Sequence, residues 1–270
     1  MTTARLPTYF LSHGGGPWPY MQGEFRQQFN QLEASLVAIA QQLPRPQAIL
    51  VVSGHWETPA WRVSAHAKPP MLYDFGGFPP HTYSVQYPAP GQPALAQRVA
   101  DLLSVGGMPA APDFERGFDH GTYSLLQPMY PHADVPVVQL SVRQDFDAAF
   151  HLAAGRLLTP LRDEGVLIIG SGLSYHNLRA FGAAGKLPSQ AFDAWLQATL
   201  IDASPEQRFD ALSHWQTAPA ARAAHPREDH LLPLMVAVGA ATDEPGACVF
   251  HQAGFMGDLT VSSFRFGAMA

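Results

Sequence analysis

The sequence YFLSHGGGPW, residues 9–18, runs from an apolar strand-like segment into one histidine and then three glycines. A buried histidine that only filled space would not need such an open backbone after it. Glycine adopts backbone angles that other residues avoid, and it lets a ligand approach the main chain closely. The stretch therefore predicts a β-strand that ends at a binding site, with His13 as its first candidate residue.

Strand-like and helical patterns alternate along the rest of the chain. Several of the strands are continuous runs of Val, Ile and Leu, which are typical of strands buried on both faces. The predicted strands are 7–12, 47–53, 61–65, 135–142, 165–172, 247–251 and 259–266, the last an edge or closing strand; the predicted helices are 24–43, one starting near Pro93, 147–163, 189–202 and 230–241. This alternation predicts an α/β fold, a single domain over residues 1–270 with a central, mostly parallel or mixed sheet flanked by helices.

The charge and cysteine content exclude several classes of partner. Lys and Arg number 16 against 22 Asp and Glu, a formal charge of −6, and no basic block is present, so neither nucleic acid nor an anionic membrane is expected as a partner. Cys248 is alone, so an intrachain disulfide is excluded. No apolar stretch is long enough for a membrane span, and the first residues contain no long apolar region of the kind found in a signal peptide. We therefore expect a cytoplasmic protein, a monomer or a small homo-oligomer.

Histidines follow three of the buried strands. His13 comes after strand 7–12, His55 after strand 47–53 and His176 after strand 165–172, each with glycines beside it. In open α/β sheets ligands bind at the C-terminal ends of the strands, and imidazole is the commonest ligand for zinc, copper and iron. The pattern predicts a metal site at this edge of the sheet. Taken singly, each histidine also fits an ordinary hydrogen-bonded residue at a strand end.

Three further histidines occur in polar contexts. His230, in HPREDHLL, lies near the start of an apolar helix; the acids before it suit a helix N-terminus, but the histidine itself favours a fourth metal ligand. His225 is interpreted as a residue behind the ligands or on the surface. His120, between Asp119 and Gly121, suits proton transfer or substrate binding, and equally a hydrogen-bonded loop histidine.

The proline-rich segment 66–91 is too apolar and aromatic to be disordered, and we interpret it as an ordered loop that forms a wall of the site. Aromatic residues in and near it suit an apolar slot for a flat ring, although each also suits an ordinary core position. The candidates are Trp18, Trp56, Tyr73, Phe75 and Phe78.

Seven blocks of the sequence resemble those of a known family. The blocks FLSHGGGP, ILVVSGHWE, YDFGGFPP, YPAPG, RGFDHGTYSLLQPMYP, PVVQLSV and HPREDHLLPL are similar to signature blocks of the class III extradiol ring-cleavage dioxygenases, most closely the 4,5-DOPA extradiol dioxygenase branch. They occur in family order from about residue 7 to residue 266. The resemblance implies a single α/β domain, a mononuclear non-haem metal site and oxygen-dependent opening of a catechol ring.

The resemblance also implies roles for five histidines. His13, His55 and His230 match the family's metal-binding positions. His176 matches a histidine described as a fourth ligand in this branch and as an acid/base in a related branch. His120 matches a histidine of the substrate pocket, and we expect His176 and His120 to be the catalytic residues.

Two departures from the family pattern bear on substrate and metal. Many relatives have Gly-Ser-Pro after the first histidine, where this chain has Gly14, Gly15, Gly16 and Pro17, which leaves the catechol unidentified. An all-histidine set differs from the two-histidine, one-carboxylate triad of iron oxygenases. One divalent metal per chain is expected, Fe(II) for ring cleavage or Zn(II) as the bound ion, with a small aromatic diol and O₂ as substrates. A zinc-dependent hydrolase and a non-catalytic metal-stabilised binding protein stay open as alternatives.

Overall fold

The computed structural model describes residues 5–269, and its strands form one mixed sheet. The strands are β1 (Thr8–Ser12), β2 (Ala48–Thr58), β3 (Trp61–Ser64), β4 (Ala110–Asp113), β5 (Val137–Arg143), β6 (Val166–Gly172), β7 (Gly246–Phe255) and β8 (Leu259–Phe266). Their order across the sheet is β4-β3-β5-β2-β6-β1-β8-β7. The predicted α/β architecture is confirmed.

Helices connect the strands and cover the sheet. They are α1 (Gly23–Gln27), α2 (Asn30–Gln42), α3 (Pro93–Val105), α4 (His120–Met129), α5 (Ala148–Leu158), α6 (Pro160–Asp163), α7 (Lys186–Gln197), α8 (Pro205–Ser213), α9 (Ala221–Ala224) and α10 (Leu232–Gly239). Every residue of α10 is buried, which explains why its sequence is apolar all round. Among the described residues, none of the helices is both long and apolar enough to cross a membrane.

The four central strands β5, β2, β6 and β1 are parallel to one another. The run Ile49–Val52 is fully buried between two neighbouring strands and two covering layers. Because β1, which precedes His13, β2, which contains His55, and β6, which precedes His176, are neighbours and point the same way, their C-terminal ends meet at one edge of the sheet. Strand order thus decides which histidines come together.

Several element boundaries differ from the sequence prediction. Strand β2 continues through His55 to Thr58, with an irregular register between Val52 and Glu57. Strand β8 is not at an edge, because it pairs with both β1 and β7, and β7 is the edge strand. The predicted helix 24–43 is two helices, and Pro160, which cannot continue a hydrogen-bonded helix, begins a separate helix within predicted helix 147–163.

The sequence analysis did not predict strand β4 or helix α4. Strand β4 is short and pairs only with β3, so its sequence carries little apolar periodicity. Helix α4 was not among the predicted helices; Asp119 caps it by accepting a hydrogen bond from the backbone N–H of Thr122. An aspartate in this position is a common start signal for a helix.

Candidate functional site

Three histidines from distant parts of the sequence meet at the C-terminal edge of the sheet. His13 follows β1, His55 lies in the distal part of β2, and His230 precedes α10. Each offers one ring nitrogen, and these nitrogens lie within 4.8 Å of one another. The Nε2 atoms of His55 and His230 are 3.1 Å apart. This spacing leaves room for a single ion among the three rings and for little else.

The backbone around His13 is fixed on both sides. Its N–H donates to the carbonyl of Gly172 at 3.1 Å, and its own carbonyl accepts a hydrogen bond from Trp18 Nε1 at 2.7 Å. Gly14 follows with a φ of +79°, and a Cβ there would overlap the Trp18 ring. The glycine is therefore required because the chain must turn sharply while the indole holds the histidine carbonyl.

His230 is held against the end of β6. Its carbonyl accepts a hydrogen bond from the N–H of Leu173 at 3.2 Å, and a Cβ on Gly172 would collide with that same carbonyl. The imidazole Nδ1 lies 2.8 Å from Asp229 Oδ2. A carboxylate at Nδ1 leaves the lone pair of a neutral ring on Nε2, which is the nitrogen that faces His55.

The site's electrostatics suit a cation. Both ring nitrogens of His13 are buried without a hydrogen-bond partner. Burial first, and then the neighbouring imidazoles, hold the pKa values of His13, His55 and His230 well below the usual range for histidine. Neutral rings that turn unpaired lone pairs towards one point are costly to bury without a ligand. The donor set therefore fits a divalent metal of the zinc or iron type.

His176 lies beside this group in a different arrangement. Its ring stacks on that of His230, with centroids 3.4 Å apart and an interplanar angle of 15°. Its potential ligand atom groups with those of Asp229 and His230. This second set shares His230 with the first set but contains neither His13 nor His55. Burial, followed by the charge of His120, lowers the pKa of His176 to about 4. The ring is thus a neutral base in the wall of the site.

His120 is the first residue of α4, and its partner is Asp74. Asp74 Oδ1 lies 3.0 Å from the backbone nitrogen and 2.9 Å from Nδ1 of His120. Asp74 Oδ2 lies 3.3 Å from Nδ1 of His55. Burial opposes ionisation of Asp74, but the hydrogen bonds and charge of His120 and His55 outweigh it and lower the Asp74 pKa to about 2. The sequence analysis missed Asp74, although it lies inside the block YDFGGFPP.

A pocket of about 500 Å³ opens above the histidines. Phe75 and Phe78 line it, and among the predicted aromatics they are the two that do. The other three were wrong: Trp18 is fully buried against Phe29, Trp56 packs beneath the Arg116 guanidinium, and the Tyr73 hydroxyl donates to the carbonyl of Val85. Segment 66–91 does form a wall of the pocket, through the residues around Phe75.

The remaining apolar lining comes from segments that the sequence analysis did not connect with the site. It consists of Phe25, Leu173, Leu178, Phe181, Phe255 and Met256. The last two belong to the β7–β8 hairpin, and no local pattern marks a hairpin as part of a distant pocket. The volume and the aromatic walls suit one small planar ligand.

A second cleft, of about 330 Å³, shares Leu178, His176 and Asp229 with this pocket. It also contains Arg179 and Arg227. Arg227 is paired with Glu57, whereas within residues 5–269 Arg179 forms no ion pair. The pocket above the histidines has no Lys or Arg in its lining. The cleft therefore places a cationic side chain, Arg179, beside the pocket.

His225 is neither at the surface nor in the pocket lining. It is buried, its Nε2 lies 3.0 Å from the carbonyl of Ser174, and its ring packs near Phe192 and Trp215. The surface interpretation was therefore wrong. His225 supports the loop between β6 and His176 from the core side.

Comparison with known proteins agrees with this geometry. The family model described as the catalytic LigB subunit of aromatic ring-opening dioxygenase matches residues 7–263. The chain is 38% identical to "4,5-DOPA dioxygenase extradiol" of Escherichia coli (strain K12), over 99% of this chain and 97% of the relative. It is 39% identical to the protein of the same name from Beta vulgaris, over 96% of each chain.

A solved structure is also similar. A crystal structure of an uncharacterized protein from Escherichia coli K12 has a TM-score of 0.78 and 36% sequence identity, with coverage of 97% of this chain and 100% of that one. The similarity in sequence and the similarity in fold therefore extend over nearly the whole chain.

Proposed function

This chain belongs to the LigB family of aromatic ring-opening dioxygenases, and on that premise we propose that it is an extradiol dioxygenase that opens the ring of a DOPA-like catechol. The family similarity confirms the resemblance found in the sequence. One observation carries the proposal: three imidazoles bring one ring nitrogen each within 4.8 Å of one another at the floor of an aromatic-lined pocket, and both ring nitrogens of His13 have no hydrogen-bond partner.

The proposed ligands of the metal are His13, His55 and His230, with His176 either completing the set or remaining a base beside it. When bound, Fe(II) would supply open coordination positions for a catechol and O₂ and a route for electrons between them, which triplet oxygen and a singlet catechol lack on their own. Zn(II) suits the same donors as an alternative resident ion. The family's members are metal-dependent.

His120 is the proposed proton carrier. Its Nδ1 is held by Asp74, so in the neutral ring Nε2 is the nitrogen available to a catechol hydroxyl. A histidine held in this way takes the hydroxyl proton as the ring binds and returns one as the ring opens. His176, which lines the same pocket, is the second proposed base.

The walls of the pocket suggest the shape of the substrate. Phe75, Phe78 and Phe255 exclude water around a flat ring. The side cleft with Arg179 suits a catechol whose side chain ends in an anion. The proposed substrate class is therefore a catechol with a short carboxylate-bearing side chain, which includes DOPA.

The test is to remove metal from the protein, reload it with Fe(II) or Zn(II), and measure oxygen uptake and the yellow ring-opened product with a series of catechols. We expect one O₂ per catechol with Fe(II) and none with resorcinol, whose hydroxyls are not adjacent. Oxygen-independent hydrolysis of an ester by the Zn(II) form would replace the proposal with the hydrolase. Ligand binding without any turnover would instead indicate a binding protein.

The substrate's anionic end is tested with a matched pair, 3-(3,4-dihydroxyphenyl)propionate and 4-methylcatechol. We expect Arg179→Gln to lower kcat/KM for the propionate by about three- to tenfold, the cost of an exposed charge-assisted contact, and to leave the methylcatechol unchanged. Equal effects on both compounds would remove Arg179 from the substrate site.

A further inference from the structure

Asp74 contacts two histidines that have different proposed tasks. Its Oδ1 accepts from the backbone N–H and Nδ1 of His120, and its Oδ2 faces Nδ1 of His55 at 3.3 Å. Oδ2 is buried and makes no full hydrogen bond, so the contact with His55 is the polar contact that the structure provides for this oxygen. The two imidazole centroids are only 3.9 Å apart. One carboxylate thus lies behind both rings.

An ionised carboxylate only accepts hydrogen bonds, so His120 must present an N–H to it from Nδ1, and the negative charge 3.3 Å from Nδ1 of His55 favours an N–H at that nitrogen too. A neutral imidazole has one such proton, and the lone pair is then on Nε2. For His55, Nε2 is the nitrogen that lies among the metal-binding group. For His120, Nε2 is the nitrogen left for the substrate. The same carboxylate therefore favours the same tautomer in both rings, through a hydrogen bond to His120 and through its charge beside His55.

The backbone before Asp74 is itself anchored to the segment that leads into α4. The N–H of Leu72 donates to the carbonyl of Phe118 at 2.8 Å, and Phe118 donates to the carbonyl of Pro70 at 2.8 Å. These two backbone hydrogen bonds therefore join the loop to the segment that leads into α4. This explains how a residue in a long proline-rich segment can be held accurately enough to orient two rings.

We propose that Asp74 is a positioning residue that couples metal retention to proton transfer, by holding His55 and His120 in the tautomer with Nε2 unprotonated. The coupling to proton transfer rests on the proposed function, whereas the tautomers and the metal affinity do not. Groups that hold a ligating histidine in this way typically contribute 10–100-fold to metal affinity. Asp229 gives a matched comparison, because it contacts Nδ1 of His230 in the same manner and does not contact His120.

The experiment compares Asp74→Asn, Asp74→Ala and Asp229→Asn with the unaltered protein. An amide has one acceptor oxygen, so Asp74→Asn can satisfy only one of the two histidines, while Asp74→Ala satisfies neither. The readouts are Zn²⁺ affinity by chelator competition and ¹⁵N NMR of the imidazole nitrogens in the metal-free protein. Circular dichroism shows whether each variant is folded. If Asp74→Ala does not fold, the near-isosteric Asp74→Asn still tests the proposal.

We expect Asp74→Ala to weaken Zn²⁺ binding about 10–100-fold and to convert His120 from one tautomer to a mixture. Asp74→Asn should shift the tautomer of at least one of the two rings. Asp229→Asn should weaken Zn²⁺ binding similarly but leave the His120 tautomer unchanged. Unaltered tautomers and unaltered Zn²⁺ affinity in both Asp74 variants would overturn the proposal. A protein that opens no catechol but shows these shifts would contradict the proposed function and leave the positioning role standing.

Discussion

The two ends of strand β1 show opposite ways of burying polar groups. Before the strand starts, the carbonyl of Leu6 accepts a hydrogen bond from the buried Arg162, which also donates to the carbonyl of Ala240 and pairs with both oxygens of Glu244. After the strand ends, His13 is just as buried, yet neither of its ring nitrogens has a partner. We refer to these regions as the arginine end and the histidine end.

The difference shows what each region is for. A buried guanidinium that makes four hydrogen bonds, two of them to a carboxylate, stabilises the fold, because removing its partners would leave an unpaired charge in a low-dielectric interior. Buried imidazoles with free lone pairs cost stability, and a fold retains them only when something else binds there. Mutations at the arginine end should therefore change stability, and mutations at the histidine end should change binding and activity.

The largest effect is expected from His13→Ala. Removing one of three proposed ligands should reduce the metal content from about one ion per chain to nearly none. The free energy of unfolding of the metal-free chain should change by less than about 2 kcal/mol, since no hydrogen bond is lost. Elemental analysis of the purified protein and denaturant titration measure the two quantities. His132→Ala, at an exposed histidine, is the control. A His13→Ala protein that keeps its metal would show that His13 is not a ligand and that the histidine end is not explained by metal binding.

His120→Ala should separate catalysis from metal binding. The loss of a general acid/base typically costs about 10²–10⁴ in rate, so kcat for ring opening at saturating catechol should fall by that factor while the metal content stays at the level of the unaltered protein. His176→Ala should lower both metal content and activity. Oxygen uptake is measured beside metal content under one Fe(II) loading protocol. Full activity in His120→Ala would return His120 to a structural role.

Arg162→Met tests the arginine end. The substitution removes the donor to the Leu6 carbonyl and one of two donors to the Ala240 carbonyl, and it leaves Glu244 with only the more distant Arg5, which should cost about 3 kcal/mol and lower the melting temperature by roughly 5–10 °C. Metal content should not change. The control is Arg98→Met, because the Arg98–Glu164 pair is largely exposed and should contribute less than about 1 kcal/mol. If both variants melt alike, the buried pair does not stabilise this end of the sheet.

His151 sharpens the comparison, because it is a buried histidine with both nitrogens used. Its Nε2 accepts from the backbone N–H of Arg143 and its Nδ1 donates to the carbonyl of Asp147. Burial lowers the pKa of His151 to about 4, below the 6.5 of an unfolded chain. Its contribution to stability is therefore complete above pH 6.5 and is lost as the pH falls from 6.5 towards 4.

Between pH 6.5 and pH 4, we expect His151 alone to lower the free energy of unfolding by up to about 1.4 kcal/mol for each unit by which the pH falls. His151→Gln, which cannot titrate, should show a pH dependence of unfolding that is shallower by about one proton over this interval. Denaturant titrations at pH 6.5, 5.5 and 4.5 measure the difference. Identical slopes would mean that His151 is protonated in the folded protein.

Much of the fold and part of the site were accessible from the sequence. Unbroken Val, Ile and Leu runs predicted the buried strands, and the histidines that follow these runs pointed to one edge of the sheet. Helix α4 could also have been found, since Asp119 three residues before Thr122 is a capping pattern.

The sequence by itself determined the buried strands, the helices with strong periodicity and the set of histidines at the strand ends, because these depend on local propensity and on the spacing of apolar residues. Only the tertiary structure decided that β1, β2 and β6 are neighbours, that Asp74 lies behind His55 and His120, and that Phe255 rather than Trp18 lines the pocket. These facts depend on contacts between residues far apart in the chain. Such contacts are selected by how the whole core packs, and a local pattern carries no record of them.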